Sequence, residues 1–172
     1  LTFLQRLFRP PGDRLALRPL YAAIVAEARD PVWYREGGVP DTVDGRFDML
    51  AALLALVLLR LESQGEEARQ DSVRLTETFI DDMDGSLREL GTGDLMVGKR
   101  VGKLMGALGG RLASFRESLG DQAAFEAAVR RNVFREAPPS EGAVRFVAAR
   151  LMDRHAALAA APLERLLGGA LA

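Results

Sequence analysis

Cysteine is absent from this 172-residue chain, which excludes a disulfide framework, a thiolate-ligated zinc site and a cysteine nucleophile. Histidine is nearly absent: His155 stands alone, and one imidazole cannot build a site that needs two, such as H-E-x-x-H. A surplus of either charge is also missing. Twenty-three Lys and Arg face twenty-four Asp and Glu, so there is no global pull toward nucleic acid, and no nucleic-acid sequence recognition is expected. Long hydrophobic runs are lacking as well. The longest, Met49–Leu59, has eleven residues, against about twenty for a membrane span, and Asp44, Arg46, Asp48 and Arg60 close it on both sides. No signal peptide is legible, because the apolar start meets Arg6, Arg9 and two prolines before a long hydrophobic region forms. Period-two alternation is absent too, and β-branched and aromatic residues are few, which argues against strands.

What is present is helix. Ala, Leu, Arg, Glu and Gly dominate, and the spacing predicts an all-α fold, one compact domain of six or seven helices. Residues 1–17 read as a basic amphipathic segment, with Leu1, Phe3, Leu4, Leu7 and Phe8 set among Arg6, Arg9 and Arg14; that is the pattern of a weak membrane-surface helix. Residues 18–172 form the helical domain. Its first helix spans Arg18 to Arg29 and stops at Asp30-Pro31, and the linker PVWYREGGVP carries Trp33 and Tyr34. Asp41 or Thr42 caps the second helix, whose face Phe47, Leu50, Leu54, Val57 and Leu61 makes it central to the core. Asp44 and Asp48 then lie near its positive end, a sufficient reason for both acids.

The third helix runs to Leu90 with Val73, Thr76, Ile80, Met83, Leu87 and Leu90 at heptad-like spacing, and Gly91 ends it. Asp94 caps a fourth helix reaching Leu119, with the stripe Val97, Val101, Leu104, Leu108, Leu112 and Phe115. A fifth follows to Arg135, then the loop EAPPSEG, then helices at 141–155 and 162–167. His155 reads as a helix-end cap or a surface residue.

Three constellations could carry chemistry. The acids of DDMDGS resemble a calcium loop only in part, because the sixth position counted from Asp82 is Leu87 rather than glycine. In a helix, Glu77, Asp81, Asp84 and Arg88 share a solvated face, with Asp84–Arg88 an i,i+4 pair. Asp44, Asp48, Asp82 and Asp84 would be the ligands of a carboxylate metal site in a helical enzyme, but no histidine lies near them to complete the usual set. The fourth helix carries Gly98, Gly102, Gly106 and Gly110 four residues apart, each costing roughly 1 kcal/mol against alanine. Either another helix of the chain packs closely on that stripe, or it lines a shallow groove for a partner's helix.

LYAAIVAEARDPVWY, GVPDTVDGRFDML and FIDDMDGSLRELGTGDLMVGKRV together resemble the ubiquinol–cytochrome c chaperone family, over Leu20 to Leu119. One departure is in ALGGR, where Leu108 and Gly109 precede Arg111 without the family's usual aromatic residue. The resemblance implies a bacterial relative of an all-helical chaperone that is not an enzyme and uses no cofactor or metal. Its client would be newly made cytochrome b, handed on for haem insertion and assembly of the bc1 complex. The family's mitochondrial members work with a small partner near the ribosomal tunnel exit, so ribosome contact is a further expectation. The expected location is cytoplasmic, with peripheral contact at the inner face of the membrane through residues 1–17. The expected client-facing residues are Trp33, Tyr34, Gly91, Gly93, Asp94, Gly98, Gly102, Lys103, Gly106 and Gly110. The motif residues Asp41, Thr42, Gly45, Arg46, Phe47, Asp82, Asp84, Arg88 and Glu89 are expected to be structural, with Arg46 paired to acids of a neighbouring element. Outside the resemblance, a carboxylate-based helical enzyme or a helical adaptor are the other readings.

Overall fold

Eleven successive residues of one helix, Asp48 to Leu58, are all buried, and the rest of the chain is arranged around them. A helix apolar on every side is stable only when enclosed, and helix α3 (Val43–Glu62) is enclosed by five others. The computed structural model describes residues 16–89, 91, 93–135 and 138–171. Around α3 pack α1 (Arg18–Ala28), α4 (Glu66–Glu89), α5 (Asp94–Ser118), α6 (Gln122–Val133) and α7 (Glu141–Ala160). Two short helices, α2 (Pro31–Arg35) and α8 (Leu163–Leu167), complete the described set. The described residues form one all-α domain with one contiguous hydrophobic core. None of their helices is long and apolar enough to cross a membrane. The amphipathic segment lies, up to Leu15, outside the described residues; Leu17 at its end is buried in the core.

Local chemistry sets the element ends. Pro19 occupies the first turn of α1, and the Asp30 side chain accepts from the Val32 amide to start α2. Thr42 caps α3, its hydroxyl accepting from the Gly45 amide at 3.0 Å. The chain folds back so tightly there that a Cβ on Gly45 would overlap the Pro40 carbonyl oxygen. Gly91, with φ of 77°, ends the turn after α4 in a conformation that L side chains rarely adopt.

Several expectations are corrected. The linker after α1 is partly helical, and Asp94 is the first residue of α5 rather than its cap; Gly93 holds the cap position. Helix α4 buries Ala68, Leu75 and Phe79, whereas Val73 is 38% exposed. Val73 sits roughly opposite Leu75 around the helix, so the buried face is rotated away from the start of the expected stripe, while Met83 of that stripe packs against the core. Helix α7 continues five residues past His155 to Ala160, carried by an alanine-rich tail of high helix propensity. His155 is therefore a half-buried interior residue of α7, and its burial lowers the imidazole below the usual histidine range.

Gly45→Ala should destabilise the protein by roughly 2–3 kcal/mol in urea unfolding, because the capping turn must open to admit the methyl group. A neutral substitution would contradict the tight Pro40–Gly45 approach.

Candidate functional site

The ends of α1, α3 and α4 do not meet flush. Between them, closed on one side by α2 and on the other by α5, is a half-open groove of about 330 Å³. Its apolar lining comes from Val25 and Ala28 of α1, Phe47 and Leu50 of α3, Met83 and Leu87 of α4, and Leu104 of α5. Arg29, Asp44, Arg46 and Asp82 bring charge to it, and Val43, 71% exposed, adds an apolar residue beside them. The two acid-rich stretches singled out in the sequence, 39–50 and 79–94, thus converge on one site from α3 and α4.

Hydrogen bonds fix its walls. Tyr21, buried in α1, donates to the Asp82 carboxylate of α4 at 2.7 Å. Burial raises the Tyr21 phenol above the usual tyrosine range, and the hydrogen bond to Asp82 adds to the shift. Tyr34 donates to the Ala28 carbonyl at 2.5 Å, satisfying an acceptor that the end of α1 leaves open. The Tyr34 phenol is likewise raised, first by burial. Arg46 lies 5.9 Å from the Tyr34 ring centre, and its Nε donates to Asp41 at 2.6 Å. That hydrogen bond holds the exposed Asp41 carboxyl below its usual range. The expectation that Arg46 pairs with a neighbouring element is corrected, because its partner lies five residues back in the turn before its own helix. Phe47 packs on Phe79 with ring centres 6.2 Å apart.

One residue beyond Phe47 the chemistry changes. Asp48 is 0% exposed and is shared by two guanidinium groups. Arg111 of α5, 1% exposed, donates to Asp48 at 2.8 Å, and Arg135, just after α6, donates at 2.7–3.1 Å. Arg111 Nη2 also donates to the Asn132 carbonyl, while its Nε and Nη1 are buried without a hydrogen-bond partner among the described residues. Burial pushes the Asp48 carboxyl up, against the opposing pull of Arg135 and Arg111, and pushes the Arg111 guanidinium down. Asp48 is therefore not a solvated acid at a helix end. Its position was the missed signal, an ionisable residue where the apolar run of α3 is already turned inward. Arg111 was missed for the same reason: it falls between Leu108 and Phe115 on the inward stripe of α5.

The four acids of the metal-site reading go to four environments. Asp44 is exposed, Asp48 is held by arginines, Asp82 takes the Tyr21 hydroxyl, and Asp84 pairs with Arg88 at 2.6 Å, the expected i,i+4 bridge. Among the described residues no three acids or imidazoles come together in a geometry that would hold a metal ion.

The remaining sequence candidates are dispersed. Trp33 is 1% exposed, donates its indole N–H to the Glu27 carbonyl at 2.9 Å and lies under Arg150 at 5.1 Å. It is a core residue, which corrects its assignment as client-facing. Tyr34 is at the groove. Gly91 and Gly93 are exposed in the α4–α5 turn, and Glu89 is exposed at the end of α4; the Asp94 side chain lies outside the described residues. Gly98, Gly102, Gly106 and Gly110 are exposed beside Lys103, and a Cβ at any of the four would meet nothing within 4 Å. Among the described residues no helix packs on that stripe, which speaks against the first of its two readings.

Residues 35–172 match the family model described as ubiquinol–cytochrome C chaperone. That span starts later than the resemblance read from the sequence and runs on through the segment after Leu119. The fold is similar to a crystal structure of the Cbp3 homolog from Brucella abortus, at 30% identity and a TM-score of 0.79, covering 98% of this chain and 94% of that one. No curated protein matches the chain.

Asp48→Ala should cost roughly 3–5 kcal/mol in denaturant unfolding, since it strands Arg111 as a buried charge. Asp48→Leu combined with Arg111→Met should cost far less, because Arg135, 45% exposed, can turn to water. Equal losses in both would mean that packing at these positions, rather than stranded charge, sets the cost.

Proposed function

The chain belongs to the ubiquinol–cytochrome c chaperone family, and from that premise we propose that it binds newly made cytochrome b and passes it on for assembly of the bc1 complex. It acts by binding and not by catalysis. The observation that carries the reading is the convergence of both acid-rich motif stretches on one groove with an apolar lining and charged groups at its edge. A membrane-protein segment in transit exposes apolar side chains that water disfavours. A concave apolar surface edged by charge can cover a part of them and still leave the chaperone itself soluble when empty.

Tyr34 and Phe47 are client contacts in this reading. Asp41, Thr42 and Gly45 hold the turn that places them, and Asp84 and Arg88 brace α4. The exposed glycine face of α5, with Lys103, is a second client surface, since a helix lacking side chains there permits close backbone approach. Work at the membrane surface follows from the nature of the client.

Deleting the gene in its own host should lower membrane cytochrome b, read by haem spectrum and immunoblot, while an unrelated respiratory complex stays constant. The wild-type gene should restore it. Ser86→Trp, which places a large ring in the groove from an exposed helix position, should fold but fail to restore it. Gly102→Leu with Gly106→Leu should also fold, because both sites open onto free space; its complementation measures the share of the glycine face. Normal cytochrome b in the deletion strain would contradict the reading, and full rescue by Ser86→Trp would move the client site elsewhere.

A further inference from the structure

We infer that the groove takes the boundary of a membrane-spanning segment, where apolar residues give way to lysine or arginine, in preference to an apolar segment with neutral or acidic flanks. This rests on the reading of the groove as the client site and adds the chemistry of what enters it.

The charge around the groove carries the inference. Arg46 is already occupied by Asp41 at 2.6 Å. Among the described residues, that leaves Asp44 and Asp82 against one other lining cation, Arg29. Both carboxylates are exposed. Asp82 is oriented from below by the Tyr21 hydroxyl, so its position is set before any partner arrives. The α4 wall continues in the same sense, with Asp81 exposed beside Asp82. Over its length that helix holds eight acidic side chains against three arginines, and each of the three is paired within the helix, Arg69 with Glu66, Arg74 with Asp71 and Arg88 with Asp84.

An apolar cleft with a net acidic edge complements a segment that is apolar and then basic. Segments that cross a membrane have this composition at one end, because the loops on the cytoplasmic side concentrate Lys and Arg. The apolar residues would lie against Phe47, Met83 and Leu104 while the cationic flank reaches Asp44 and Asp82. An acidic flank would instead meet like charge at the same distance, which disfavours it.

Three synthetic peptides test this with the intact protein. They share one moderately apolar Ala/Leu core and carry three lysines, three glutamines or three glutamates at one end. Fluorescence anisotropy should show the lysine peptide binding about fivefold tighter than the glutamine peptide, the scale of two exposed ion pairs, and the glutamate peptide weakest. The preference should shrink at about 1 M salt, where screening acts within a few ångströms. Asp44→Asn with Asp82→Asn, which keeps an acceptor for Tyr21, should abolish the difference in affinity between the lysine and glutamine peptides. Equal affinities for all three peptides, all lost in Ser86→Trp, would overturn the inference while the groove reading stands. Tightest binding by the glutamate peptide would overturn it likewise. No binding, or binding that Ser86→Trp does not weaken, would remove the groove reading and this inference together.

Discussion

The carboxylate of Asp48, held out of water by α3 and met by Arg111 and Arg135, ties three parts of the chain together: the central helix, α5 and the segment leaving α6. Such a pair adds little net stability over an apolar core, because desolvating the charges offsets most of their attraction. What it supplies is register. A carboxylate and a guanidinium bond only at defined distances and angles, whereas leucine faces slide against each other at small cost. Helix α5 needs that constraint, since it carries five exposed glycines between Gly98 and Gly110 and each weakens a helix by roughly 1 kcal/mol relative to alanine. Its place is fixed by Val97, Leu108, Phe115 and the Arg111 anchor on the opposite side.

The same anchoring shapes the groove. Phe47 and Leu50 flank Asp48 in sequence, and Leu104 lies on α5 two turns before Arg111, so the ion pair sets how far apart those walls stand. Tyr21–Asp82 performs the equivalent task between α1 and α4. The result is an apolar recess whose width is fixed by polar bonds around it, suited to receiving a side chain without first collapsing. For a protein whose work is to hold another chain briefly, a preformed recess avoids an ordering cost on each encounter.

Much of this was legible from residue patterns. The enclosed second helix, the glycine and proline stops, the Asp84–Arg88 bridge and the inward stripe of α5 follow from spacing and capping rules that act locally. The motifs also pointed to the right helices. Their roles were harder to read. Asp48 and Asp44 are alike in sequence, four residues apart in one acid-rich stretch, yet one is bathed in water and the other is sealed against two arginines from distant segments. Trp33 in a proline-bounded linker reads as exposed until α7 places Arg150 over it. The groove is lined from five successive helices, α1 to α5, by residues as far apart in the chain as Val25 and Leu104, so Val25, Arg29 and Leu104 carried no local mark. Pairings across the fold decide these cases, and one-dimensional spacing does not encode them.

The most direct test of the central claim, that the motif groove is where the client sits, is site-specific photocrosslinking in the host. A photoreactive side chain at Val43, exposed beside the groove, is compared with one at Gly102 on the far side of α5 and one at exposed Glu117, while cytochrome b is being made. Cytochrome b should be captured from Val43, more weakly from Gly102, and not from Glu117. Capture from Gly102 with none from Val43 would contradict it and place the client on the glycine face.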